Sequence, residues 1–367
     1  MKAVILVGGF GTRLRPYTFS KPKPLVPFVN KAIVVHQISA LVKAGVNEVI
    51  LAVGHMPHQM IDFKNHIEEE FKIKVTFSIE DEPLGTAGPL GLARDLLMED
   101  NEPFFMLNSD VACEFPLTQM LNFHKSHKRE GTILVTPVED PSKYGLVVFK
   151  QDGLIEEFLE KPEKGAQNLP SNKINAGIYL LNKSVLDLIP KPNPKPVAVS
   201  IERQIFPAMV VNQNLYAMTL NGYWMDIGQP KDFLLGTQLH LASLAINEPK
   251  SLAEGKHIVG NVVIDPTAKV GANCKIGPDV VIGPNVVVGD GACLANCTLM
   301  ENTIVSNNAL VKDSIIGWGS HIKAWSHVSK CFFGADVTVA AERVVTDAIV
   351  CPHKEIKESV FTHQIIM

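Results

Sequence analysis

Apolar and polar positions follow two different rules along this chain, and the change falls near residue 250. Up to about residue 245, continuous apolar runs alternate with stretches of helical period. MKAVILV (1–7), VILAV (49–53), KVTFSI (74–79) and FFMLN (104–108) read as buried strands. AIVVHQISALVKAG (32–45) has apolar residues at helical spacing and stops on Gly45, a C-cap signal. Further helices are predicted from Pro57 to Phe71 and near Leu90–Leu97. Strands without in–out alternation, separated by helices, predict an α/β domain with a mostly parallel sheet covered on both faces. Ligands then bind beyond the carboxyl ends of the strands.

From about residue 256 the period becomes six. Ile258, Ile264, Val270, Ile276, Ile282, Val288, Leu294 and Met300 keep strict register, and Gly271, Gly277, Gly283 and Gly289 follow four of them. The period returns at Ile316, Ile322 and Val328, slips by one, and resumes at Phe333, Val339 and Val345. Six-residue repeats predict a β-helix in which three hexads close one triangular turn and stacked turns bury the repeating apolar residue. The expected domains are 1–245 and 246–367, joined through a helix over 231–246. The proline-rich run PKPNPKP (190–196) reads as a loop, or as a proline-rich recognition segment.

Apolar residues make up 46% of the 367, enough for two cores, and a net charge of −4 offers no global field for nucleic acid. No apolar run approaches the ~20 residues of a membrane span. The six cysteines form no CxxC pair, which predicts reduced thiols in a cytoplasmic protein, most simply as small buried hydrophobes.

The candidate chemistry begins at GGFGTRLRPYTFSKPKPL (8–25). Glycines and cations after a strand suit a phosphate-rich ligand. The loop is neither a Walker A sequence nor a complete dinucleotide fingerprint. Pro22 and Pro24 stiffen the backbone around Lys23. In LGTAG (84–88) the glycines allow a backbone to approach a flat base, or simply make a tight turn. Asp110 in NSD and Asp226 in WMDIG each follow an apolar stretch; they could share a Mg²⁺ or serve as turn residues. Glu160 and Lys161 in EKP, Asn175 and Gly177 in NAG, and Gly145 beside Tyr144 offer hydroxyl and phosphate contacts, with a solvated Glu–Lys pair as the plain alternative.

GGxGTRLRP, PKPL, LGTAG, NSD, EKP, NAG and WxDIG occur in the order found in sugar-1-phosphate nucleotidyltransferases, and the chain resembles that family nearly end to end. PSKYGLVV, SNKINAGIY and GYWMDIGQPKDFL resemble its guanylyl-transferring branch. The resemblance implies a Rossmann-like catalytic domain followed by a left-handed parallel β-helix of hexapeptide repeats. It implies GTP and mannose 1-phosphate as substrates and Mg²⁺ as cofactor. Leu6, Gly8, Gly9, Gly11, Thr12, Arg13, Lys23, Gly85, Asn108 and Asp110 would contact the nucleotide. Gly145, Glu160, Lys161, Asn175, Gly177, Asp110 and Asp226 would contact the sugar phosphate. Asp110 and Asp226 would hold the metal, and Arg13, Lys23 and Lys161 would stabilise the reacting phosphates. Pro27 and Ala32 depart from the family pattern, which often has an acidic residue and a proline there. A homo-oligomer, with or without a paralogous regulatory subunit, is the expected assembly. Neither nucleic acid nor membrane is an expected partner. The alternatives are a different sugar or base, a non-catalytic regulatory subunit, and an acyltransferase using His257, His321 or His327 on the solenoid.

Overall fold

In the computed structural model, which describes residues 1–54, 58–162, 169–191 and 197–367, strand Lys2–Leu6 lies between Glu48–Val53 and Phe104–Asn108, parallel to both. Lys74–Ile79 extends this parallel group beyond Glu48–Val53. The rest of the sheet departs from the expected mostly parallel arrangement. Lys173–Leu181 runs antiparallel to Phe104–Asn108 and carries Gly131–Pro137 and Gly145–Phe149 antiparallel to itself. Ile155–Glu160 and Leu215–Thr219 complete the nine strands. These strands belong to one compact unit, Met1–Gly9 with Val34–Trp224. Its core includes Val4, Ile50, Phe104, Met106, Tyr179 and Phe206, all inaccessible to solvent.

Helix Ile33–Lys43 ends as its sequence predicts. Gly45 takes φ +91°, and the N–H groups of Gly45 and Val46 return to the carbonyls of Val42 and Leu41. Helix His58–Phe71 matches its expected range within the described residues. The helix expected near 90–97 is two short pieces, Gly88–Leu92 and Arg94–Leu97. The proline-rich run lies outside the described residues from 192 to 196.

The second unit joins Phe10–Ile33 to Met225–Met367. Its C-terminal part is a parallel β-helix, and its turns are shorter than hexads alone predict. Val262 pairs with Val280, 18 residues on, but Val280 pairs with Cys297 and Ile315 with Phe332, only 17 residues on. One side of each later turn therefore has five residues. The interior position is Leu299, paired with Ile282, and Met300 lies outside the interior stack. The corners use left-handed backbone, which Asn and Asp tolerate best among side-chain-bearing residues. Asn296, Asp313, Lys330 and Asp347 occupy one corner of successive turns, with φ between 45° and 54°.

Helix Pro230–Asn247 and the Phe10–Ile33 segment pack on the outside of this solenoid. Tyr17 sits 6.4 Å from the rings of both Phe233 and Trp318 and donates to the Ile315 carbonyl. Phe28 meets Phe233 edge-on at 5.3 Å, and Asn30 Nδ2 donates to the Ile282 carbonyl at 2.9 Å. Among the described residues no helix is long and apolar enough to cross a membrane. All six cysteines are free thiols, and burial pushes Cys113 up to about 12, which leaves it inert.

A pair of histidines behind the sheet gives the first unit a pH dependence. His124 Nδ1 and His127 Nε2 both reach the Thr132 hydroxyl at 2.8 Å, and His127 stacks on Tyr216 at 4.3 Å. Burial, then the neighbouring His124, lowers His127 to about 4. An unfolded chain takes up this proton near pH ~6.5, so between those values the unfolded state binds more protons. The stabilisation is therefore complete above about pH 6.5 and is lost as pH falls toward 4. Calorimetric melting between these limits should show Tm falling with pH, and His127→Gln should flatten that fall. An unchanged slope in the variant would remove His127 from this role.

Candidate active site

Four parallel strands end at Leu6, Val53, Ile79 and Asn108, so their carboxyl ends share one edge of the sheet. Gly8 lies just beyond the first. A Cβ there would stand 2.9 Å from Glu80 Oε1, and one on Gly54 would stand 2.7 Å from the Gly8 carbonyl oxygen. Three strand ends thus crowd together around glycine. Gly9 faces open space, with nothing within 4 Å of its Cβ direction.

Glu80 was not among the expected site residues. The side chain is nevertheless only 8% exposed. Its Oε2 accepts from the Leu84 N–H at 3.2 Å, and burial raises its pKa above the ordinary carboxylate value. The LGTAG turn is anchored on the other side as well. Gly85, at φ +71°, would put a Cβ 2.6 Å from the Val199 carbonyl oxygen. The Ala87 N–H donates to that same oxygen at 2.8 Å, and the Thr86 hydroxyl donates to Glu202 at 2.6 Å. The turn's own packing therefore accounts for the glycine at 85.

Glu202 also connects the turn to the EKP strand. Its charge ranks after burial among the causes that raise the Glu160 pKa. Glu160 stands opposite Gly145 in the hairpin, where a Cβ on the glycine would lie 2.9 Å from Glu160 Oε2. Lys161 takes φ +49°, its N–H donates to the Tyr144 carbonyl at 3.1 Å, and its ammonium lies 3.9 Å from Glu160. Tyr144 packs edge-on against Trp224 at 5.4 Å, and the Trp224 indole N–H donates to the Ala176 carbonyl at 3.0 Å.

NAG forms an irregularity in strand Lys173–Leu181. Asn175 Oδ1 accepts from the Gly177 N–H at 3.0 Å, and its Nδ2 donates to the Tyr179 hydroxyl at 2.8 Å. Gly177 takes φ +76° and leaves room for Asn108, whose Nδ2 would be 2.8 Å from a Cβ there. Asn175 therefore shapes the bulge with its own amide, and Asn108 and Gly177 meet directly.

Asp110 sits in the turn between Phe104–Asn108 and Val111–Cys113. Gln37, fully buried in the Ile33–Lys43 helix, donates from Nε2 to the carbonyls of Asn108 at 2.8 Å and Val111 at 3.4 Å, clamping both sides of that turn. Leu6, Gly8, Gly9, Gly85, Asn108, Asp110, Gly145, Glu160, Lys161, Asn175 and Gly177 all belong to the first unit.

Gly11, Thr12, Arg13, Lys23 and Asp226 belong to the second. Gly11 takes φ +63°, and its Cβ would press on Thr18 and Lys23. Thr12 opens the single turn Thr12–Leu14, which carries Arg13. The Arg13 guanidinium lies 3.8 Å from Asp226 Oδ2, and the Gly228 N–H donates to Asp226 Oδ1 at 2.9 Å. The other cations of the loop point elsewhere: Arg15 covers Phe19 at 4.6 Å and Lys21 covers Trp318 at 5.2 Å. Among the described residues no three metal-ligating side chains cluster. Mg²⁺ commonly takes one or two carboxylates and fills its shell with water and phosphate oxygens, so a carboxylate such as Asp110 in the first unit or Asp226 in the second is the type of ligand it takes.

Two family models match the chain. Residues 2–242 match the nucleotidyl transferase model, and 258–366 match the GMPPB C-terminal domain. The chain is 52% identical over 364 residues to mannose-1-phosphate guanyltransferase of Schizosaccharomyces pombe, covering 98% of both chains. It is 53% identical over 369 residues to the mannose-1-phosphate guanylyltransferase catalytic subunit beta of Dictyostelium discoideum, covering all of both. The crystal structure of HddC from Yersinia pseudotuberculosis superposes with a TM-score of 0.51 at 29% identity, over 64% of this chain and 97% of that one. The chain belongs to the nucleotidyl transferase family and, within it, stands with the mannose-1-phosphate guanylyltransferases.

Proposed function

We propose that this chain transfers GMP from GTP to mannose 1-phosphate, giving GDP-mannose and pyrophosphate. The observation that carries this reading is the shared edge of the four parallel strands, where Gly8, Glu80 and the Asp110 turn lie. The sugar phosphate is already a nucleophile, so no side chain need be activated. Its oxygen attacks the α-phosphorus in line, the bond from the α-phosphorus to the β-phosphate oxygen breaks, and pyrophosphate leaves. The protein's task is to position the reactants and offset charge between two anions. Arg13 and Lys23 stabilise the leaving pyrophosphate, and Lys161 draws the attacking phosphate into line. Gly8, Gly9, Gly11 and Thr12 let the backbone follow the phosphates, beside Leu6 and Asn108. Glu160, Asn175, Gly177 and Gly145 form the mannose wall. Asp110 and Asp226 hold Mg²⁺, which when bound offsets phosphate charge.

Base choice falls to Glu80 in this reading. Guanine presents adjacent N1–H and N2–H donors, and a carboxylate accepts both, which neither adenine nor a pyrimidine can match in the same way. Glu80→Gln should lower kcat/KM for GTP by about tenfold or more and narrow the preference of GTP over ITP, which lacks the 2-amino group. An unchanged GTP-to-ITP ratio would move base recognition away from Glu80. Lys161→Ala should raise KM for mannose 1-phosphate more than KM for GTP. The opposite order in steady-state kinetics would take Lys161 out of the sugar-phosphate site.

A further inference from the structure

We propose that Gln37 is a positioning residue for the candidate metal carboxylate: it holds the turn that presents Asp110 and thereby sets how tightly the chain takes up Mg²⁺. The inference deepens the nucleotidyl-transfer reading and rests on its assignment of Asp110 as a metal ligand.

Gln37 stands where a hydrocarbon would pack best. In helix Ile33–Lys43 the residues Val34, Gln37, Ile38 and Leu41 fall on one stripe, and all are inaccessible to solvent. The other members of the stripe are aliphatic. The Gln37 Oε1 is buried and has no hydrogen-bond partner among the described residues. A buried acceptor left unpaired destabilises the folded state. Leucine or methionine would continue the stripe without that cost and form helix equally well. Core packing therefore does not account for glutamine at this position.

The other end of the side-chain amide does. Its Nε2 donates to the Asn108 carbonyl at 2.8 Å and reaches the Val111 carbonyl at 3.4 Å. Those carbonyls bracket Ser109 and Asp110, which link strands Phe104–Asn108 and Val111–Cys113. A primary amide carries two N–H protons, so one uncharged side chain can hold both. Asn108 is confined a second time, because its side chain lies against Gly177. Asp110 itself is only half-buried. A carboxylate offered to Mg²⁺ needs a fixed backbone beneath it, since this ion demands near-octahedral geometry. Groups that support a metal ligand commonly change metal affinity or activity by ~10–100-fold when removed.

The test compares Gln37→Met with wild type in the full chain. Methionine keeps the length of glutamine and removes both the donors and the unpaired oxygen. Tm should stay within about 3 °C of wild type, because those two losses offset each other. Hydrogen–deuterium exchange of the unliganded chain should quicken in peptides covering 104–113 and stay unchanged over Lys2–Leu6 and Glu48–Val53. In pyrophosphate release with GTP and mannose 1-phosphate, the Mg²⁺ concentration for half-maximal rate should rise about tenfold. KM for GTP at saturating Mg²⁺ should change less than about twofold. Asp110→Asn should also raise the Mg²⁺ requirement, and Gln37→Met should add less than about twofold in that background, because it acts through residue 110. An unchanged requirement in Gln37→Met beside a raised one in Asp110→Asn would overturn the role of Gln37 and leave the metal assignment standing. An unchanged requirement in Asp110→Asn would overturn the metal assignment and this inference with it. Faster exchange spread over the whole sheet would make Gln37 an ordinary core residue and overturn the inference as well.

Discussion

Asp110→Asn should lower kcat by about 100-fold or more while leaving the fold intact. The amide keeps the shape of the carboxylate and removes its charge. The turn that carries residue 110 is held from outside by Gln37, whose Nε2 serves the carbonyls of Asn108 and Val111. Those bonds survive the substitution, so the loss falls on chemistry rather than on folding. KM for GTP should change less than kcat, because the glycine loop and Glu80 are untouched. Steady-state turnover at saturating Mg²⁺ checks this, with thermal melting as the control for folding. Near-normal turnover would refute the assignment of Asp110 as a metal ligand. Asp226→Asn is a less clean probe, since Asp226 also lies beside Arg13 and accepts from the Gly228 N–H.

Phe333→Ala should destabilise the solenoid by about 3–5 kcal/mol. Phe333 is fully buried and stacks between Ile316 and Val350 of adjacent turns. Truncation leaves a cavity in a stack that has neighbours above and below and little freedom to collapse. Unfolding in a β-helix spreads from turn to turn, so the loss should show as a lower denaturant midpoint for the solenoid transition. Phe333→Leu should recover most of it. A shift equivalent to less than about 1 kcal/mol would mean that the interior is not close-packed at this turn.

The six-residue period was legible because the solenoid interior repeats one apolar position per side. It failed at Met300 for a physical reason. Helix Pro230–Asn247 and the Phe10–Ile33 segment cover part of the outer face, so outward positions there are buried as well. Leu299 and Met300 are both apolar and both buried, and periodicity alone cannot choose the interior one. The shortened turn becomes visible only through the corner residues, where Asn296, Asp313, Lys330 and Asp347 recur every 17 residues.

In the first unit, buried strands and the Gly45 helix stop were readable from local pattern. The direction of Lys173–Leu181 was not, because strands buried on both faces look the same whether parallel or antiparallel. The motifs located the turns of the candidate site but not what holds them. Gln37 gave one usable signal, a polar residue inside the apolar stretch AIVVHQISAL. Glu202 and Glu80 gave none, since each looks like an ordinary surface carboxylate until the fold buries Glu80 against Gly8 and brings Glu202 to Thr86. The division of the opening loop was hidden too. Residues 8 and 9 belong with the sheet and residues 10 to 33 with the solenoid, although nothing in the chain marks a boundary between them.

Pyrophosphate release by the purified chain with Mg²⁺, measured across four nucleoside triphosphates and both mannose 1-phosphate and glucose 1-phosphate, bears most directly on guanylyl transfer. Strong release with GTP and mannose 1-phosphate together, and weak release with every other pair, is the expected result. Equal or greater release with another pair would contradict the assigned substrates, and no release from folded protein with any pair would contradict catalysis by this chain.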